Sequence, residues 1–85
     1  MKTILVTGGA GFIGSNFIKY MLEKYPDYKI INIDLLTYSG NLENLREVEN
    51  NPNYTFVKED IVNLQKIKEI FEKHKPNIVV NFAAE

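Results

Sequence analysis

Eight residues near the start of the chain, Thr7-Gly8-Gly9-Ala10-Gly11-Phe12-Ile13-Gly14, restrict its fold more than any other feature. They follow a short apolar, β-branched run, Thr3–Thr7, which reads as a buried strand. They open a helical pattern in which Ile13, Phe17 and Met21 recur at i, i+4 and i+8, with Ile18 and Leu22 beside them, ending near Tyr25-Pro26-Asp27. Glycines 9, 11 and 14 fit G-x-G-x-x-G, and glycines 8, 11 and 14 also fit G-x-x-G-x-x-G. A strand turning sharply into a helix has three uses for glycine. The turn itself needs one, a phosphate approaching the backbone needs a position without Cβ, and a helix packed close to the sheet needs another. The free N–H groups of the helix start, with Phe12 and Ile13 supplying amides, then meet the phosphate at the positive end of the dipole. A glycine-rich join without a ligand is the competing reading, and the strand–turn–helix context argues against it.

The pattern continues in the same style. Ile30–Ile33 is a second strand, and the loop Leu35–Gly40 leads to a short helix carrying Leu42, Leu45 and Val48. The turn cluster Asn50-Asn51-Pro52-Asn53 precedes a third strand, Thr55–Val57. Leu64, Ile67, Ile70, Phe71 and His74 form one face of a further helix, capped by Asn63 and stopped before Pro76; Ile78–Phe82 is the last strand. The order βαβαβαβ, with strands this apolar, predicts an α/β fold: a doubly wound parallel sheet of Rossmann type, ordered 3-2-1-4. Such a domain ordinarily continues with another helix and strand after Ala83-Ala84-Glu85, so residues 1–85 read as the N-terminal part of a longer dinucleotide-binding domain. Strand Ile78–Phe82, apolar at four of five positions, is then an edge that invites self-association of the isolated chain.

Composition narrows the partners. Ten lysines and arginines against eleven acids give a net charge of -1, which argues against a nucleic acid or a membrane surface. There is no cysteine, so disulfides and thiolate metal sites are excluded. No stretch approaches the ~20 apolar residues of a membrane helix, and the apolar run at Ile4–Val6 is too short for an export signal. A cytoplasmic protein is expected.

Asp34 ends the second strand, 20 residues beyond Gly14, where a carboxylate accepts hydrogen bonds from both adenosine ribose hydroxyls. It would repel the 2′-phosphate of NADP, and no arginine follows in Leu35-Leu36-Thr37, so NAD is the expected cofactor. Asp60-Ile61 stands at the end of the third strand on the same sheet edge, where Asp60 could meet the adenine amino group or simply favour a helix start. Thr37, Tyr38 and Gly40 are candidates for the adenosine pocket, while Ser39 or Asn41 could cap the next helix. Ala83 and Ala84 follow the fourth strand beside the switch point, where small residues suit passage of a cofactor. His74, without metal-ligand companions, reads as structural, and the Lys/Glu pattern from Glu59 to Lys75 as a solvated helix face.

Together Thr7–Gly14, the segment Asp34–Leu42, Asp60-Ile61 and Asn81-Phe82-Ala83-Ala84-Glu85 resemble the extended short-chain dehydrogenase/reductase family. The loop Leu36-Thr37-Tyr38-Ser39-Gly40-Asn41-Leu42 and the final Ala-Ala-Glu resemble its sugar-nucleotide dehydratases, with Leu35 standing where relatives usually carry lysine. The resemblance implies contacts to NAD from Gly8, Gly11, Phe12, Ile13, Gly14, Asp34, Leu35, Leu36, Thr37, Gly40, Asp60, Ile61, Phe82, Ala83, Ala84 and Glu85. It also implies a homodimeric lyase acting on a sugar nucleotide, dTDP-glucose foremost. Its C4 is oxidised, water is lost across C5 and C6, and C6 is reduced, with NAD regenerated in each turnover. The family's Tyr-x-x-x-Lys and Asp-Glu pairs match nothing here, so no catalytic residue is assigned and the 85 residues alone are expected to bind without catalysing. A UDP- or GDP-sugar dehydratase, a 4-epimerase and a non-enzymatic NAD(P) sensor are the alternatives.

Overall fold

The computed structural model describes residues 2–9, 11–34, 42–60 and 62–82. Within them the chain runs β1 (Thr3–Thr7), α1 (Phe12–Lys24), β2 (Lys29–Asp34), a 3₁₀ helix (Leu42–Val48), β3 (Tyr54–Lys58), α2 (Leu64–His74) and β4 (Ile78–Asn81). All strand pairs are parallel and their order is β3-β2-β1-β4, as the sequence pattern predicts. Strands β2 and β3 each run one residue further at both ends than the apolar runs suggested, and Phe82 falls just outside β4. The short helix after β2 is 3₁₀ rather than α.

Alternation along the strands divides the core in two. Ile4, Val6, Ile30 and Tyr54 face one side, where Ile18 and Leu22 of α1 and Leu45 of the 3₁₀ helix close over them. Leu5, Ile31 and Ile33 face the other, where half-buried Val57 and the α2 residues Ile67 and Ile70 pack. Helices thus cover both faces, as crossovers of one hand require in a parallel sheet. Burying one such aliphatic side chain contributes about 1.5–3 kcal/mol.

Two helix faces differ from the periodic reading. The buried stripe of α1 is Gly14, Ser15, Ile18 and Leu22, so the expected Ile18 and Leu22 form its centre and Ile13, Phe17 and Met21 do not. Phe17 and Met21 are half-buried at its flank, and Ile13 is 70% exposed. Gly14 sets this rotation: a Cβ there would lie 2.7 Å from the Gly8 carbonyl oxygen and 2.8 Å from Gly9 Cα. The helix meets the turn through a residue without a side chain, and i+4 and i+8 follow from that contact. In α2, Leu64 is 75% exposed, because the helix reaches its sheet partners only from Ile67 onward. Asn63 does cap α2, its side chain accepting from the Lys66 amide at 3.3 Å. The helix ends at Lys75 in the left-handed region, φ 47°, where its amide donates to the Phe71 carbonyl at 2.8 Å.

Candidate cofactor-binding site

Parallel strands carry their C-terminal ends to one edge of the sheet. The register aligns Thr7 with Ile33 and with Asn81, and Asp34 with Lys58. The glycine turn leaves β1 at this edge. Gly8, at φ 74°, occupies a backbone region that side chains strain to adopt, and its amide donates to the Ile33 carbonyl at 2.9 Å. Gly9 lies against β2, where a Cβ would strike the Asn32 carboxamide and come within 2.5 Å of Ile18 Cδ1. Gly11 is the N-cap of α1 at φ −74°, ψ 174°, an extended conformation open to any residue. Its backbone therefore does not demand glycine.

The start of α1 suits an anion. No side chain caps it and no acid stands in its first turn. Phe12 and Ile13, which open the helix, are 77% and 70% exposed. The first N–H groups of an α-helix have no partner within the helix, so an uncapped start of this kind is open to an anion. Gly14, the last glycine of the motif, is buried in the helix–turn contact.

Asp34 is the last residue of β2 and largely buried, on the same edge as the turn. Its carbonyl accepts from the Glu59 amide at 3.3 Å, which draws the end of β3 alongside. Asp60 is half-buried just after β3, and its Oδ1 accepts from the Val62 amide at 3.0 Å while its carbonyl accepts from the Asn63 amide at 2.9 Å. That carboxylate organises the approach to α2. Glu59 is not a solvated helix residue: its Oε2 accepts from the Asp60 amide at 3.2 Å and from Asn63 Nδ2 at 3.0 Å. Phe82 directs its ring into the α1 side of the core, tilted against Phe17 with centroids 5.4 Å apart, and its amide donates to the Thr7 carbonyl at 2.7 Å. Leu35, Leu36, Thr37, Tyr38, Ser39, Gly40, Asn41, Ile61, Ala83, Ala84 and Glu85 lie outside the described residues.

Three polar residues that the sequence reading passed over complete the edge. Thr7 Oγ1 donates to Asn81 Oδ1 at 2.5 Å, tying β1 to β4 at the switch point. Asn32, fully buried in the centre of β2, accepts from the Gly9 amide at 3.0 Å and donates through Nδ2 to Tyr54 Oη at 3.2 Å. Burial raises the Tyr54 phenol above its ordinary value, the hydrogen bond from Asn32 opposes this, and the Asp34 charge adds to it. The signal for Asn32 was present: one amide inside an otherwise apolar Ile30-Ile31-Asn32-Ile33. Among the described residues no cluster of His, Asp and Glu could hold a metal ion. No helix there is long and apolar enough to cross a membrane.

A glycine turn, an uncapped helix start and a strand-end acid on one edge are the parts of a dinucleotide cradle. The family model described as GDP-mannose 4,6 dehydratase matches residues 5–85. The chain belongs to this family. Among curated proteins it is 55% identical to the dTDP-glucose 4,6-dehydratase of Haemophilus influenzae, over all of this chain and 25% of that protein. The crystal structure of dTDP-glucose 4,6-dehydratase from Bacillus anthracis, in complex with NAD, superposes with a TM-score of 0.97 at 54% identity, covering 100% of this chain and 27% of that one. UDP-glucose 4-epimerase from Thermotoga maritima, solved with UDP-glucose, gives 0.82 at 38% identity, over 98% of this chain and 24% of that one. The chain thus spans about a quarter of the length of its relatives in this family.

Proposed function

We propose that this chain is the NAD-binding part of a dTDP-glucose 4,6-dehydratase. One observation carries the reading. The pinned glycine turn, the uncapped start of α1 and Asp34 share one sheet edge, in a chain 54% identical along its whole length to an NAD-complexed dehydratase. The cradle fits the cofactor on its own terms, because the turn is drawn in tight, a side chain at position 9 colliding with Asn32 and Ile18 and one at position 14 with the turn itself, and because the exposed helix start offers amides to a pyrophosphate. In the proposal the amides of Phe12 and Ile13 bind the pyrophosphate and Asp34 accepts from the adenosine ribose hydroxyls. Family likeness adds Leu35, Leu36, Thr37, Gly40, Ile61, Ala83, Ala84 and Glu85 to the contacts. NAD, when bound, supplies the reversible hydride acceptance that oxidation at C4 and reduction at C6 require. The described residues bind, orient and exclude the 2′-phosphate of NADP; none is given a catalytic role.

Substrate choice follows the stronger likeness, since the epimerase shares the fold at lower identity. NAD and a sugar nucleotide are both cytoplasmic metabolites, and the proposal includes that location. The test is turnover by the complete protein of dTDP-glucose, UDP-glucose and GDP-mannose, followed by loss of the C6 hydroxyl in NMR spectra. Conversion of dTDP-glucose to a 4-keto-6-deoxy sugar is the expected result. Inversion at C4 without loss of water would instead establish an epimerase.

A further inference from the structure

We infer that the buried Asn32 carboxamide is the positioning residue that holds the glycine turn in its pyrophosphate-receiving shape, with Tyr54 fixing the carboxamide; the inference rests on the NAD reading above. The geometry leaves the amide one orientation. The Gly9 N–H can only donate, so the atom 3.0 Å away is Oδ1, and Nδ2 is left to donate to Tyr54 Oη at 3.2 Å. Every partner is fixed by something else. Asn32 sits mid-strand and is fully inaccessible, and Tyr54, opening β3, is nearly so. Gly9 is wedged so closely that a Cβ would collide with Asn32 and Ile18.

The bond has two consequences for a ligand. It engages the Gly9 amide within the protein, so that group does not compete for phosphate. It also clamps the second glycine of the turn while the Gly8 amide is held by the Ile33 carbonyl at 2.9 Å, one residue further along the same strand. Asn32 and Asp34 lie two apart on β2 and so share a face of the sheet. One strand therefore carries the ribose acid and, behind it, the amide that sets the turn. An isosteric aliphatic residue would suit a buried strand position whose register neighbours are Val6 and Phe56 but leave the Gly9 amide buried and without an acceptor, free to relax the turn only by moving it.

The test compares two ligands on the complete protein: NAD, which needs the turn, and adenosine, which lacks a pyrophosphate and tests the ribose and adenine contacts alone. Asn32→Leu is expected to weaken NAD about tenfold or more while adenosine changes by less than about twofold. The Gly9 amide should exchange with solvent faster in the variant than in the wild type. If Asn32→Leu does not fold, Tyr54→Phe keeps the Oδ1 bond and releases Nδ2, and should give the same split at about threefold. Unchanged NAD affinity in the variant that folds overturns the inference. Equal weakening of NAD and adenosine overturns it too, since that is the mark of a merely structural role. A wild type that binds neither ligand sinks the NAD reading and this inference with it.

Discussion

The two faces of the sheet are built to different standards. On the α1 side, Ile4, Val6, Ile18, Ile30 and Leu45 are almost inaccessible, and the polar groups there are bonded across elements, Gly9 to Asn32 to Tyr54. On the α2 side, the strands supply Leu5, Ile31 and Ile33, but α2 itself has no fully buried residue and β4 is largely exposed. The difference teaches where precision is needed. The side that shapes the glycine turn is closed by its own residues. The other side leaves an apolar groove of about 200 Å³ between Ile67, Phe71, Val79 and the ends of β1 and β4.

The contrast can be broken with paired truncations. Ile18→Ala, on the closed side, should cost about 2–5 kcal/mol of unfolding free energy, whereas Leu64→Ala on α2 should fall within about 0.5 kcal/mol of wild type. Denaturant titrations of both variants check this, and similar costs would erase the distinction. Gly14→Ala sharpens it, because the added methyl meets backbone of the turn and not a side chain that can swing away. A loss of about 1–3 kcal/mol is expected in the same titration. A smaller effect of opposite sign belongs to the α2 side. Lys75 holds φ 47° at the helix end, so Lys75→Gly should stabilise by about 0.5–1 kcal/mol, seen as a raised unfolding midpoint.

The smallest effect is a pH dependence at the same helix end. Burial, and then the charges of Lys29 and Lys73, lower the His74 pKa from its ordinary 6.5. Unfolding restores that value, so the unfolded chain takes up the proton first as pH falls. The contribution of His74 is therefore present above 6.5 and is lost as pH drops through the lowered folded value. Unfolding midpoints measured from pH 7.5 to 5 should decline slightly less in His74→Gln than in wild type.

Much of this was legible in the residues. Strand order, the glycine turn, the Asn63 cap and the strand-end position of Asp34 follow from local patterns that tertiary structure left in place. The α1 face was legible in part: Ile18 and Leu22 lie on it and Phe17 and Met21 flank it, while Ile13 is turned out, because the contact that orients the helix is made by a glycine, which periodicity does not count. The packing of the Phe82 ring on Phe17 was not legible either, since it depends on how a residue just past β4 turns back onto the core beneath it. The strand order makes β1 a neighbour of both β2 and β4, but the particular partners of Asn32 and of Thr7 depend on register and on the path of the turn, which no short window holds.

The central claim is that the glycine turn exists to receive a dinucleotide, and Gly11 tests it most directly. Its extended backbone, φ −74° and ψ 174°, accepts any side chain, so Gly11→Val should leave the fold intact. Calorimetric titration of NAD into wild type and into Gly11→Val, with circular dichroism to verify folding, is the measurement. The account predicts binding by the wild type and none by a folded Gly11→Val. A folded Gly11→Val that binds NAD as the wild type does would contradict it.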